Sequence, residues 1–166
     1  MSHSRSTGSV AESIGAAPFE RDGAAAAALL GGPKVLQVAS LEMLDLHHAI
    51  VRGLRPATLL HLKKSLVHLS TADLGRALGV SERTMRRHLE QNSGRLGVAF
   101  GSRAWRFADL LAHATNVLGD QGRAERWLFS NVTGLDGQQP IDLLQTSAGL
   151  QLVDDFLRRI EYGVYT

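Results

Sequence analysis

The sequence predicts an all-α fold, with a helix-turn-helix unit followed by a small helical domain. Two observations support this class. Apolar residues recur at helical spacing from Val35 onward, and residues 102–119 place five of them on one face: Phe107, Leu110, Leu111, Ala114 and Leu118. Val, Ile and Thr never alternate over a length that would make a strand, so we expect no sheet.

The first elements follow an N-terminal segment of different composition. Residues 1–33 are rich in Ser, Gly and Ala, and we expect a flexible tail that Gly31-Gly32-Pro33 ends. Two amphipathic helices should come next, separated by Arg55-Pro56, because a residue before proline disfavours helical geometry. Their apolar stripes are Leu41-Leu44-His48 and Leu59-Leu62-Leu66.

The C-terminal elements are also predicted as helices. Gly119 should end the helix over 102–119, and Pro140 should begin a short one. Thr146 or Ser147 can cap the last helix, which carries Leu150, Val153, Phe156, Leu157 and Ile160. We therefore divide the chain into a tail (1–33), a helix-turn-helix domain (34–106) and a C-terminal domain (107–166).

Residues 71–89 have the pattern of a helix-turn-helix. Its apolar positions lie where two crossing helices must touch: Leu74, Leu78, Val80, Met85 and Leu89. Gly75 is small at the crossing, and Gly79 stands at the turn, where a positive φ is often required. Ser81 can cap the second helix. A purely structural helical hairpin is the alternative interpretation.

The second helix of this unit predicts DNA binding. Its exposed residues are Ser81, Arg83, Thr84, Arg86 and Arg87, and arginine can contact guanine edges or phosphates. Residues 52–106 hold eleven basic and three acidic side chains (+8), whereas residues 1–51 carry −2 and residues 107–166 carry −4. Such a block favours a polyanionic partner, although a solvated basic face would look similar.

Other functional classes find little support in the sequence. Cysteine is absent, and no signal peptide or apolar run of membrane-spanning length is visible, so we expect a soluble cytoplasmic protein. No metal site is expected, because His47 and His48 point about 100° apart on a helix, and His61 and His68 lack further ligands at suitable spacing. Without a nucleophile, P-loop or dinucleotide motif, we expect no enzyme and no cofactor.

The C-terminal residues carry a family resemblance. The order is Trp127-Leu128, Gly137 with Pro140 and Leu143-Leu144, and the ending Arg159-Ile-Glu-Tyr-Gly-Val-Tyr165. This order, with the upstream Leu44-Asp45-Leu46 and the helix-turn-helix, resembles the Xre/MbcA/ParS-like antitoxins over about residues 29–165. The closing motif is the most specific part of the resemblance.

The resemblance implies a type II antitoxin whose partner is a RES-domain toxin that degrades NAD+. Such an antitoxin is expected to bind the toxin through its C-terminal domain and obstruct the NAD+ site, to form a homodimer, and to repress its own operon by binding operator DNA. NAD+ chemistry would then belong to the partner.

The same resemblance places toxin binding at the end of the chain. The expected residues are Arg158, Arg159, Glu161, Tyr162, Gly163, Val164, Tyr165 and Thr166. Tyr and Arg are frequent interface anchors, although the tyrosines could instead pack back onto their own domain. Two other functions stay open: a stand-alone repressor with a ligand-binding or dimerising C-terminal domain, and an interaction adaptor whose helix-turn-helix no longer binds DNA.

Overall fold

The structure, a computed structural model, describes the backbone of residues 18–163 and the side chains of residues 23–163. Within this range the secondary structure is helical, apart from one isolated antiparallel bridge between Val132 and Gln138. The α-helices are α1 (Pro18–Leu29), α2 (Gly32–Leu36), α3 (Met43–Arg52), α4 (Pro56–Ser65), α5 (Thr71–Ala77), α6 (Glu82–Glu90), α7 (Val98–Leu118), α8 (Gln121–Trp127), α9 (Pro140–Leu143) and α10 (Ser147–Glu161). A 3-10 turn spans Thr133–Leu135. The predicted all-α fold is confirmed.

The longest helix, α7, is the centre of the molecule. Two helices that precede α7 in the chain, α1 and α3, pack against it, and so do two that follow it, α8 and α10. Its residues Phe107, Ala108 and Leu111 are buried in a core that runs through the whole described chain. The predicted domain boundary after residue 106 falls inside this continuous helix, so no break in the backbone separates the two domains.

The N-terminal segment differs from its prediction. A flexible tail was expected over residues 1–33, but Ala26, Ala27 and Leu30 are fully buried where α1 packs along α7. The prediction is therefore wrong for residues 18–33, while residues 1–17 lie outside the described range. Alanine favours helix and lets two helix axes approach closely, so a run with no visible amphipathic period can still pack against a partner.

Local signals determined the ends of the C-terminal helices. Gly119 follows α7 at φ 99°, Pro140 is the first residue of α9, and the Thr146 hydroxyl accepts a hydrogen bond from the Gly149 N–H at 3.0 Å. Each matches its predicted role, although α7 begins four residues before the expected start. Among the described helices, none has the length and apolarity to span a membrane. The described residues also contain no cluster of three His, Asp or Glu arranged to hold a metal ion.

Candidate functional site

Helices α5 and α6 form the predicted helix-turn-helix. Gly79 has φ 65°, and the N–H groups of Val80 and Gly79 donate to the carbonyls of Gly75 and Arg76, which is the Schellman arrangement that ends a helix. A Cβ on Gly75 would lie 3.0 Å from the Val80 carbonyl oxygen, so a side chain there would force the turn away from α5. Both glycines therefore have the roles predicted for them.

Both helices of this unit begin with a side-chain cap. Ser70 and Asp73 form a reciprocal capping box at the start of α5, with distances of 3.1 Å and 2.9 Å. The Ser81 hydroxyl accepts from the Thr84 N–H at 3.2 Å and lies 3.1 Å from the Thr84 hydroxyl. Ser81, a predicted DNA-binding residue, thus has a structural role in fixing the start of α6.

The inner side of α6 is anchored to the core. Leu74, Leu78 and Met85 are buried between the helices as predicted, and Val80 and Leu89 pack partly buried against the same core. The His88 ring stacks on Phe100 of α7, with ring centroids 4.5 Å apart. This packing fixes which side of α6 faces solvent.

The outer side of α6 carries the predicted arginines together. Arg83, Arg86 and Arg87 are exposed, and with Thr84 and Glu90 they border one shallow concavity along the helix. Arg86 pairs with Glu82 one turn earlier, at 2.5 Å. Arg83 and Arg87 form no ion pair with any residue that the structure describes, so two guanidinium groups remain available for a polyanion.

The end of α10 holds the described part of the second predicted site. Tyr162 is 64% exposed, and Gly163 has φ 66°, which lets the chain leave helical geometry after α10. The Arg159 guanidinium carbon lies 5.6 Å from the centroid of the Phe156 ring. Val164, Tyr165 and Thr166 lie outside the described residues.

Two other residues of this predicted site are held by partners in the domain. Nδ1 of the buried His113 on α7 lies 2.8 Å from the Asp154 carboxylate, and Nε2 lies 3.4 Å from that of Glu161. Arg158 donates to Asp154 at 2.9 Å. Burial would raise the pKa of Asp154, but hydrogen bonds from His113 and Arg158 outweigh it and hold that pKa below its ordinary value. Asp154 and Glu161 therefore orient α10 on α7 through His113, whereas Arg158 pairs with Asp154 within α10.

Comparison with known proteins identifies both regions. Residues 45–109 match the antitoxin Xre-like helix-turn-helix domain, and residues 113–163 match the antitoxin Xre/MbcA/ParS C-terminal toxin-binding domain. The antitoxin Xre of Yersinia enterocolitica is 31% identical over 96 residues, which are 57% of this chain and 64% of that protein. The chain belongs to the Xre-type antitoxin family.

Two further relatives show the same similarity. The antitoxin Xre of Pseudomonas putida is 32% identical over 81 residues, covering 49% of this chain and 50% of that protein. The antitoxin Xre of Photorhabdus laumondii is 25% identical over 118 residues, covering 70% and 79%. In the first two comparisons the matched region spans less than two thirds of the relative. Helix α1 and the preceding residues lie outside both family domains.

The helix-turn-helix and toxin-binding domains of this family member are joined by a buried carboxylate. Glu125 on α8 has no exposed surface, and its oxygens accept from the backbone N–H groups of Val67 (2.9 Å), His68 (2.5 Å) and Leu69 (3.2 Å). Gln121 donates to the same carboxylate at 2.7 Å. Since the bound loop leads directly into Ser70, the cap of α5, the toxin-binding domain positions the first helix of the helix-turn-helix.

Exposed polar contacts link the two domains at a second place. Arg76 of α5 pairs with Asp142 of α9 at 2.6 Å, and Arg106 of α7 donates to the Ser147 hydroxyl at 2.9 Å. Sequence reasoning missed these contacts and Glu125, because the partners lie 41 to 66 residues apart. No local signal marks Glu125, because α8 is largely polar and the neighbouring residues include Arg123 and Arg126.

Proposed function

We propose that this chain is the antitoxin of a type II toxin–antitoxin system, that it neutralises a RES-domain toxin which degrades NAD+, and that it represses its own operon. The observation that carries the proposal is the combination of an exposed arginine face on α6 with a C-terminal part that matches a toxin-binding domain. The DNA-binding and toxin-binding regions are then parts of one packed unit with a shared core.

In this proposal α6 enters the major groove of the operator. Arg83 and Arg87, which have no ionic partner among the described residues, would contact phosphates or guanine edges. Arg86 would exchange its contact with Glu82 for DNA, and Thr84 lies on the same face. The capped first turn of α6, beginning at Ser81, also presents the positive end of the helix dipole to the DNA backbone.

The DNA-binding part is tested by replacing Arg86 and Arg87 together with alanine. We expect operator affinity to fall about tenfold or more, and the dependence of log K on log salt to become shallower by about 0.9 for each lost phosphate contact. Arg123→Ala, an exposed arginine of α8, is the matched control and should leave both quantities unchanged. Unaltered binding of the double variant in a gel-shift titration would remove α6 from the recognition role.

The toxin-binding part is tested by deleting residues 162–166. Gly163 turns the chain away from α10, and the proposed cleft of the toxin must accept a dinucleotide that contains aromatic rings, so the aromatic side chain of Tyr165 is a suitable occupant. We expect the deletion to restore NAD+ hydrolysis by the toxin while operator binding persists. If the shortened chain still inhibits purified toxin, the terminus is not the obstructing element. A chain that binds DNA but no RES-domain protein would be a stand-alone repressor.

We also propose that the chain dimerises. Helix α3 exposes Met43, Leu44 and Val51, a set of apolar side chains that a second copy could cover. Two helix-turn-helix units related by a two-fold axis would read half-sites about one helical turn apart. Sedimentation at micromolar concentration tests this, and a monomer both alone and on DNA would contradict it.

A further inference from the structure

One face of α10 presents an aromatic surface of which the expected toxin-binding residues include only Arg159. Leu152, Phe156 and Arg159 follow each other at intervals of four and three residues, so they lie on the same side of the helix. Leu152 is 56% exposed, and Phe156 is partly exposed. Val153 and Leu157, which are fully buried, face the core roughly a third of a turn around α10 from this side.

Three elements hold the Phe156 ring in place. The Trp127 ring of α8 stacks on it nearly parallel, with an interplanar angle of 5° and centroids 6.3 Å apart. The Arg159 guanidinium lies over the same ring. On the 3-10 turn, a Cβ at Gly134 would overlap the ring, so only glycine leaves room for it. We call Trp127, Phe156 and Arg159 the aromatic platform.

Arg159 has a charge that the domain does not neutralise. Its neighbour Arg158 is paired with Asp154, whereas Arg159 forms no ion pair with any residue in the described part of the chain. A guanidinium over an aromatic ring can still donate hydrogen bonds to a carboxylate. The platform thus offers a preorganised apolar surface with one unneutralised cation beside it.

We propose that the aromatic platform and Leu152 form a docking surface for the toxin, which contributes an apolar or aromatic side chain against Trp127 and Phe156 and a carboxylate against Arg159. This inference rests on the proposed antitoxin function. The toxin is the favoured occupant because the platform lies within residues 113–163, which match a toxin-binding domain, and because it continues along α10 to the exposed Tyr162. The terminus would then obstruct the toxin while the platform supplies affinity.

The test measures the affinity of full-length variants for a purified RES-domain toxin by calorimetry. Leu152→Arg and Arg159→Glu change exposed positions, and we expect each to weaken the complex about tenfold or more, as at interface hot spots. Arg159→Lys keeps the charge but loses the planar edge, so its affinity should fall between those of the wild type and Arg159→Glu. Val98→Arg, at a 48% exposed apolar position on α7, is the matched control.

Each result has a distinct meaning. Operator binding and the circular dichroism spectrum should be unchanged in all four variants. These two measurements check that each variant folds. If the wild-type chain binds no RES-domain protein, the proposed function fails, and the inference fails with it. If the wild type binds but Leu152→Arg and Arg159→Glu bind equally well, only the platform is refuted. Altered sedimentation of the isolated variants with unchanged toxin affinity would also refute it, because the face would then serve a second copy of the chain.

Discussion

Replacing Glu125 with alanine would remove the acceptor that holds the α4–α5 loop against the toxin-binding domain. Three backbone N–H groups would lose a carboxylate partner. Hydrogen bonds to a charged group contribute about 1.5–3 kcal/mol each, but water can replace the partner of an accessible donor. Val67 is exposed, so its N–H should regain water, whereas Leu69 is buried and its N–H would lose its partner outright.

The expected loss for Glu125→Ala is therefore about 3 kcal/mol of unfolding free energy, which is the size observed when one partner of a buried charged network is removed. For a domain of this length, that lowers the thermal midpoint by about 9 °C. Glu125→Gln keeps the side-chain volume and one good acceptor, so we expect about half the effect.

Thermal unfolding followed by circular dichroism measures the change, and hydrogen exchange locates it. Amide exchange at residues 67–69 should accelerate more than exchange in α7. Glu90→Ala removes an exposed carboxylate from α6 and should shift the free energy by less than about 0.5 kcal/mol. A Glu125→Ala midpoint within about 2 °C of the wild type would refute the argument that this carboxylate joins the two domains.

Two further changes test the packing of α10. Gly149→Ala places a Cβ onto the Leu143 carbonyl oxygen and should lower the free energy of unfolding, measured in urea, by about 1–3 kcal/mol. The control is Gly23→Ala, where a Cβ meets no neighbour within 4 Å, and it should be neutral or stabilising. Equal effects of the two changes would contradict the close α9–α10 contact. Because folding lowers the pKa of Asp154, its carboxylate stabilises the fold at neutral pH, and that contribution is lost as the pH falls below the ordinary value of about 3.9. Asp154→Asn should thus be less stable than the wild type at pH 7, with the difference narrowing at pH 3, and a difference independent of pH would contradict the lowered pKa.

The helix-turn-helix shows what local sequence signals can predict. Its caps, its Schellman turn at Gly79 and its buried apolar positions each depend on residues within a few positions of one another. The arginines of α6 could be placed on an exposed face for the same reason. Once the buried residues of a helix are known, its periodicity shows which residues face solvent. The family resemblance added the function expected of the C-terminal end.

Contacts between distant segments were decided by the tertiary structure. The alanine-rich segment was predicted to be flexible because residues 1–33 are rich in Ser, Gly and Ala, yet α7 offers it a surface against which small side chains pack closely. Phe156 was predicted only as one of the apolar residues that the last helix carries, and the contacts of its ring with Trp127 and Gly134 depend on the tertiary structure.

The sequence by itself thus determined the helical class, the helix-turn-helix and its basic face, because periodicity, caps and turn glycines act over a few residues. The partner of a buried carboxylate depends instead on which segments, distant in the sequence, pack against each other in the folded protein. Glu125 lies 56 to 58 residues from the amides that it binds, and no local pattern encodes that distance. Only the packing of α8 against α7 brings the carboxylate to the loop and thereby joins the two domains.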